Sequence, residues 1–90
     1  MRIKKDTCIA FTFAEGRTKC YFNTGKTRKV DNKVYHIFCE ILPEEELHSI
    51  NNFWCISNEY FNKQLASGRL RIIEKFKDLE IAQDIVEETI

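Results

Sequence analysis

Proline is nearly absent from this sequence and glycine is scarce. Pro43 is the one proline, and Gly16, Gly25 and Gly68 are the three glycines among 90 residues. A collagen-like repeat or a Pro/Gly-rich low-complexity chain is excluded. No apolar stretch approaches the roughly 20 residues that a membrane-spanning helix needs. The apolar run over residues 8–14 is short, contains Thr12 and is followed by Glu15, so it does not read as a secretory signal. No Asn-x-Ser/Thr site occurs. Cys8, Cys20, Cys39 and Cys55 stand 12, 19 and 16 apart, and no two form a Cys-x-x-Cys pair. The usual zinc and thioredoxin-like spacings are therefore missing. Reduced, mostly buried thiols in a cytoplasmic protein are expected.

Hydrophobic residues make up 43% and aromatics 12% of the chain. That suffices for one domain over residues 1–90 without a metal or disulfide staple. Charge is unevenly placed although the formal net charge is zero. Residues 1–36 hold nine Lys/Arg against three Asp/Glu, a surplus of six positive charges. Residues 37–90 hold five against eleven, a surplus of six negative charges. The halves either neutralise one another in the fold or leave a basic face for an acidic partner.

Period-two alternation predicts strands over residues 7–14, 17–22 and 33–42, with a short charged strand at 27–30. Glu15 and Gly16 make the first turn, Asn23 to Gly25 the next, and Asp31 and Asn32 a two-residue turn. Pro43 with Glu44, Glu45 and Glu46 reads as the first turn of a short helix ending near Ile50. Residues 51–56 are ambiguous between loop and strand. Ser57 or Asn58 can cap a helix running to Ser67, with Gly68 as its stop. Residues 69–76 alternate as a fifth strand, with a helix as the alternative, and Asp78 can cap a last helix. The expected fold is α+β: an antiparallel meander of four to five strands with two to three helices packed on one face. Residues 1–42 are mostly strand and basic; residues 43–90 are mostly helical and acidic, with one candidate strand.

Motifs for catalysis are weak. Gly25, Lys26 and Thr27 match the tail of a phosphate-binding loop, but the glycine required five residues earlier is Cys20, so a hairpin turn is their expected role. His36 and Cys39, three apart on a strand, point to opposite faces and cannot form a dyad. His48 and Cys55 could meet, yet no orienting third group is visible. No metal site, cofactor or catalytic residue is assigned.

Binding is the better expectation. Lys19 and Tyr21 share a strand face, and Lys26, Arg28, Lys29 and Lys33 follow, which makes one candidate contact surface. Glu44, Glu45, Phe53, Trp54 and Tyr60 make the other, acidic and aromatic. The leading expectation is a non-catalytic module that occupies another protein's surface, such as the small regulators or inhibitors that phages and mobile elements encode. The alternative is a nucleic-acid-binding protein that uses the basic hairpin face. Exposed strand edges are compatible with a homodimer.

Overall fold

The computed structural model describes residues 3–41 and 52–73. Five strands form one sheet: β1 (Cys8–Thr12), β2 (Thr18–Val30), β3 (Lys33–Glu40), β4 (Phe53–Ser57) and β5 (Leu70–Ile73), with α1 (Asn58–Ser67) between the last two. Their order is β4-β3-β2-β1-β5, and every neighbouring pair is antiparallel. β4 and β5 therefore run in the same direction on opposite edges, and α1 carries the chain across the sheet between them.

Alternation decides what each face buries. Ile9 pairs with Tyr21, Phe11 with Leu70, Phe38 with Trp54 and His36 with Ile56, so these side chains share the face that α1 covers. Phe61 of α1 stacks on Phe38 at 6.3 Å, and both are fully buried. Cys8, Ala10, Phe22 and Cys39 lie on the opposite face and are buried too. The centre of the sheet is thus closed on both sides, which is why β3 is apolar at successive positions.

Local chemistry fixes the connections. Between β1 and β2, the Gly16 N–H donates to the Phe13 carbonyl and the Phe13 N–H to the Arg17 carbonyl, both at 2.8 Å, with Gly16 at φ 89°. This is the three-residue hairpin with glycine in the left-handed position. Asp31 (φ 50°) and Asn32 (φ 65°) close the β2–β3 hairpin, as expected of a two-residue turn with both centres left-handed. Ser57 caps α1: its Oγ accepts from the Tyr60 N–H at 3.1 Å. Gly68, at φ 83°, ends the helix and donates its N–H to the Leu65 carbonyl.

Three readings are corrected. The described residues hold five antiparallel strands and a single ten-residue helix, not two to three helices packed on a meander. The helices expected near residues 43–50 and from Asp78 lie outside the described residues. The sheet is also not a simple meander, because β5 joins the far edge beside β1. Asn23 to Gly25 is no turn: β2 runs unbroken for 13 residues, and three of its residues (Thr24, Gly25 and Lys26) face only Ile37.

That bulge is built by side chains. Thr24 Oγ1 donates to the Ile37 carbonyl at 2.8 Å and accepts from the Lys26 N–H. Asn23, buried, donates from Nδ2 to the Lys4 carbonyl and accepts at Oδ1 from the Gly25 N–H. Gly25 sits at φ 84°, and a Cβ there would stand 2.9 Å from Cγ and Cδ of Lys5. Gly25→Ala is accordingly expected to cost about 1–2 kcal/mol, the penalty for an L-residue in the left-handed region. Urea unfolding measures it; an unchanged midpoint would contradict the bulge geometry.

Candidate partner-binding surface

β1 pairs with β2 only over residues 18–22, and β4 pairs with β3 only over residues 35–39. Over residues 27–34, β2 and β3 pair only with each other. Residues 27–34 form a two-stranded ribbon that leaves the sheet, and every residue from 25 to 34 is exposed. The bulge at Thr24 to Lys26 stands where the ribbon departs, the usual role of a bulge in bending a strand.

Four of the basic residues named from the sequence lie here. Lys26, Arg28, Lys29 and Lys33 outnumber the single acidic residue Asp31, for a net charge of three positive over residues 26–34. Lys33 Nζ reaches Glu59 Oε2 at 3.5 Å and stands 5.9 Å from the centre of the Tyr35 ring. Both partners of that pair are exposed, so it contributes little. Lys26, Arg28 and Lys29 have no acidic partner among the described residues. Val30 and Val34 are 44% and 47% exposed between the cations.

Lys19 and Tyr21 belong elsewhere. Tyr21 is buried, and its ring lies 5.2 Å from that of Trp54. Lys19 Nζ is 3.3 Å from Glu40 Oε1, whose other oxygen accepts from Asn52 Nδ2 at 2.6 Å. The Glu40 carboxylate is thus buried but satisfied on both oxygens. These groups, with Phe13, Phe53 and Trp54, line a cleft of about 250 Å³. Burial pushes the pKa of the Tyr21 phenol above its ordinary value, and the Glu40 charge pushes it further. So the six-residue basic face of the sequence reading is divided. The ribbon keeps four residues, and the other two are enlisted by the core and the cleft.

The acidic and aromatic alternative is divided as well. Glu44 and Glu45 lie outside the described residues. Phe53 and Trp54 point to opposite faces of β4, with Phe53 beside Cys39 and Trp54 beside Phe38. The Trp54 ring packs 5.0 Å from Phe11 and 6.0 Å from Tyr60, so it is largely a core residue, while Phe53 and Tyr60 are exposed. Val30, Val34, Asn52 and Glu40 were missed from sequence. Only Glu40, a lone carboxylate ending an apolar strand, carried a signal.

His36 and Cys39 face opposite sides of β3, and His48 lies outside the described residues. Among the described residues, no group of three or more His, Cys, Asp or Glu could hold a metal ion, and no helix is long and apolar enough to cross a membrane. Compared with protein-family models, curated proteins and solved structures, the chain matches none.

Burial pushes the Cys39 thiol up to about 12, with the neighbouring Glu40 charge adding to the shift. The thiolate is the reactive form, so a maleimide at pH 8 is expected to label exposed Cys55 and spare Cys39 until the protein is unfolded. The folded state holds this proton more tightly than the unfolded chain, whose cysteine ionises near 9.0. Its stabilising contribution is complete below pH 9 and declines as pH rises towards about 12. Urea midpoints should fall over that window, and fall less in Cys39→Ala. Equal alkaline loss in both would remove Cys39 as the cause.

Proposed function

We propose that this chain is a non-catalytic protein-binding module, a small regulator or inhibitor that docks its β2–β3 ribbon on an acidic partner protein. One observation carries the reading: three cations without acidic partners stand beside two exposed valines on a ribbon that leaves the sheet. A protein surface offers both carboxylates and apolar patches to such an element, and charge would set the rate and choice of partner. A reducing, cytoplasmic setting accords with the exposed thiol of Cys55.

Nucleic acid is the second reading, favoured by the ribbon's shape. Two strands and their side chains fit a major groove about 12 Å wide, and the four cations would contact phosphates. Tyr21 no longer supports it, because that ring is buried and cannot stack on a base. The test is capture from lysate by tagged protein, with and without nuclease, beside the variant Arg28→Glu/Lys29→Glu. A protein captured after nuclease treatment and lost in the variant supports the proposal. Capture abolished by nuclease favours the second reading, and capture indifferent to the variant refutes the ribbon as contact.

A further inference from the structure

Among the described residues, the outer edges of this sheet are guarded by charge, with one exception. β5 carries Arg71 and is preceded by Arg69, and the ribbon carries Lys26, Arg28, Lys29 and Lys33. β4 reads Phe-Trp-Cys-Ile-Ser: it has no charge and no proline, and its register with β3 is unbroken. Proteins normally protect an edge strand with one of these devices, because unpaired N–H and C=O groups recruit another strand.

The hydrogen-bonding parity of β4 is readable. The Glu40 N–H donates to the Asn52 carbonyl at 2.9 Å, so Asn52, Trp54 and Ile56 direct their backbone groups to β3. Phe53 and Cys55 direct theirs outward. We propose that two copies of this chain pair antiparallel along β4, with Cys55 on the two-fold axis. That register overlaps all five residues and places outward groups opposite outward groups. With no charge on β4, the axis brings no like charges together. Every other outer edge would place lysines or arginines near their own copies.

Shape selects the same arrangement. Phe53 of the second copy comes opposite Ser57 and points to the same face as Ser57 and Tyr35. A cleft of about 380 Å³ opens along the β4 edge at that end, lined by Tyr35, Cys55 and Ser57 of this face, by Trp54 and Tyr60 of the α1 face, and by Lys33. Phe53, 38% exposed in the single chain, fills that cleft, and the symmetry repeats the contact. Because Ser57 pairs with Tyr35 at the root of the ribbon, the two ribbons leave the joined sheet at opposite ends. The dimer is thus bivalent. Its interface meets the ribbon only at Lys33, and the ribbon is tested at Arg28 and Lys29, so the two proposals fail independently.

Sedimentation equilibrium over a concentration series tests the mass, and diamide tests the register. Opposed hydrogen-bonded residues place their Cα atoms about 5.5 Å apart, within the range a disulfide spans. Diamide takes the two hydrogens of two Cys55 thiols and leaves one disulfide. The expected results are twice the chain mass and a covalent dimer on oxidation. Cys55→Ser should lose the covalent dimer and keep the mass. Phe53→Asp should halve the mass with an unchanged circular dichroism spectrum. A wild-type monomer at high concentration would overturn the proposal and leave β4 to a different partner. So would a dimer that Phe53→Asp does not weaken and diamide does not link.

Discussion

Phe38→Ala is expected to remove about 3–5 kcal/mol of stability, the range for deleting a buried aromatic ring. A domain of this length holds on the order of 5–13 kcal/mol in total, so the loss takes from about a quarter of it to all of it. The reason is position. Phe38 stands on β3, pairs across to Asn23 on one side and Trp54 on the other, and carries Phe61 of α1 on its face. It is fully buried and joins the sheet to the one described helix that crosses it. Removing the ring leaves a cavity that β3, held on both sides by ladder hydrogen bonds, cannot collapse to fill. Phe53→Ala supplies the contrast. Phe53 is the same residue type on the neighbouring strand but is 38% exposed, so its folding cost should stay near or below about 1 kcal/mol. Urea unfolding of both variants, followed by the fluorescence of Trp54, gives the comparison. Equal losses would mean that the face under α1 is not the principal core.

How much of this was legible depends on the range over which each element is determined. The hairpin at Asp31 and Asn32 and helix α1 could be read, because turn and cap chemistry is local: two left-handed residues, Ser57 at the start, Gly68 at the end. β1 was readable because Ile9 and Phe11 alternate with Ala10 and Cys8. β2 was read as two pieces, over 17–22 and 27–30, since Asn23, Thr24 and Gly25 between them are turn formers by local preference. Here they are held in a strand by the carbonyls of Lys4 and Ile37, which are distant in sequence. β4 resisted because Phe53 and Trp54 are consecutive aromatics with no polar alternation, and both faces of the strand meet apolar neighbours. The place of β5 beside β1 is likewise not written in either strand, as an alternating pattern specifies a face but no neighbour.

The candidate surface divides along the same line. Lys26, Arg28, Lys29 and Lys33 were read as exposed, and they are. Lys19 and Tyr21 looked equivalent to them on strand periodicity alone. What removed them was Trp54 lying over Tyr21 and Glu40 drawing in Lys19, contacts between residues that only the β2–β3–β4 pairing brings together. A basic residue's place in a pattern therefore predicted its exposure only where no other strand flanks the ladder.

The ribbon makes the second large prediction. Arg28→Glu/Lys29→Glu changes the local charge of residues 26–34 from three positive to one negative, since two cations become two anions. Both side chains are exposed and unpaired among the described residues, so the fold should be unaffected, with a stability change within about 0.5 kcal/mol. Binding to an acidic partner should weaken at least roughly tenfold, which corresponds to about 1.4 kcal/mol. Most of that should appear as slower association, because exposed interface charges act chiefly on encounter. Salt supplies an internal check. Wild-type association should slow as ionic strength rises, and the variant should lose or invert that dependence, because its ribbon now repels the partner. If nucleic acid is the ligand, the logarithmic salt slope reports the number of phosphates neutralised, and the double reversal should reduce it by about two. Val30→Ser tests the other component. Removing an exposed apolar side chain should leave the salt dependence intact and speed dissociation if the ribbon packs on a protein, whereas a purely phosphate-directed contact would not register it. Charge and apolar contact on one ribbon thus give separable kinetic signatures, and their joint presence is what a protein partner requires.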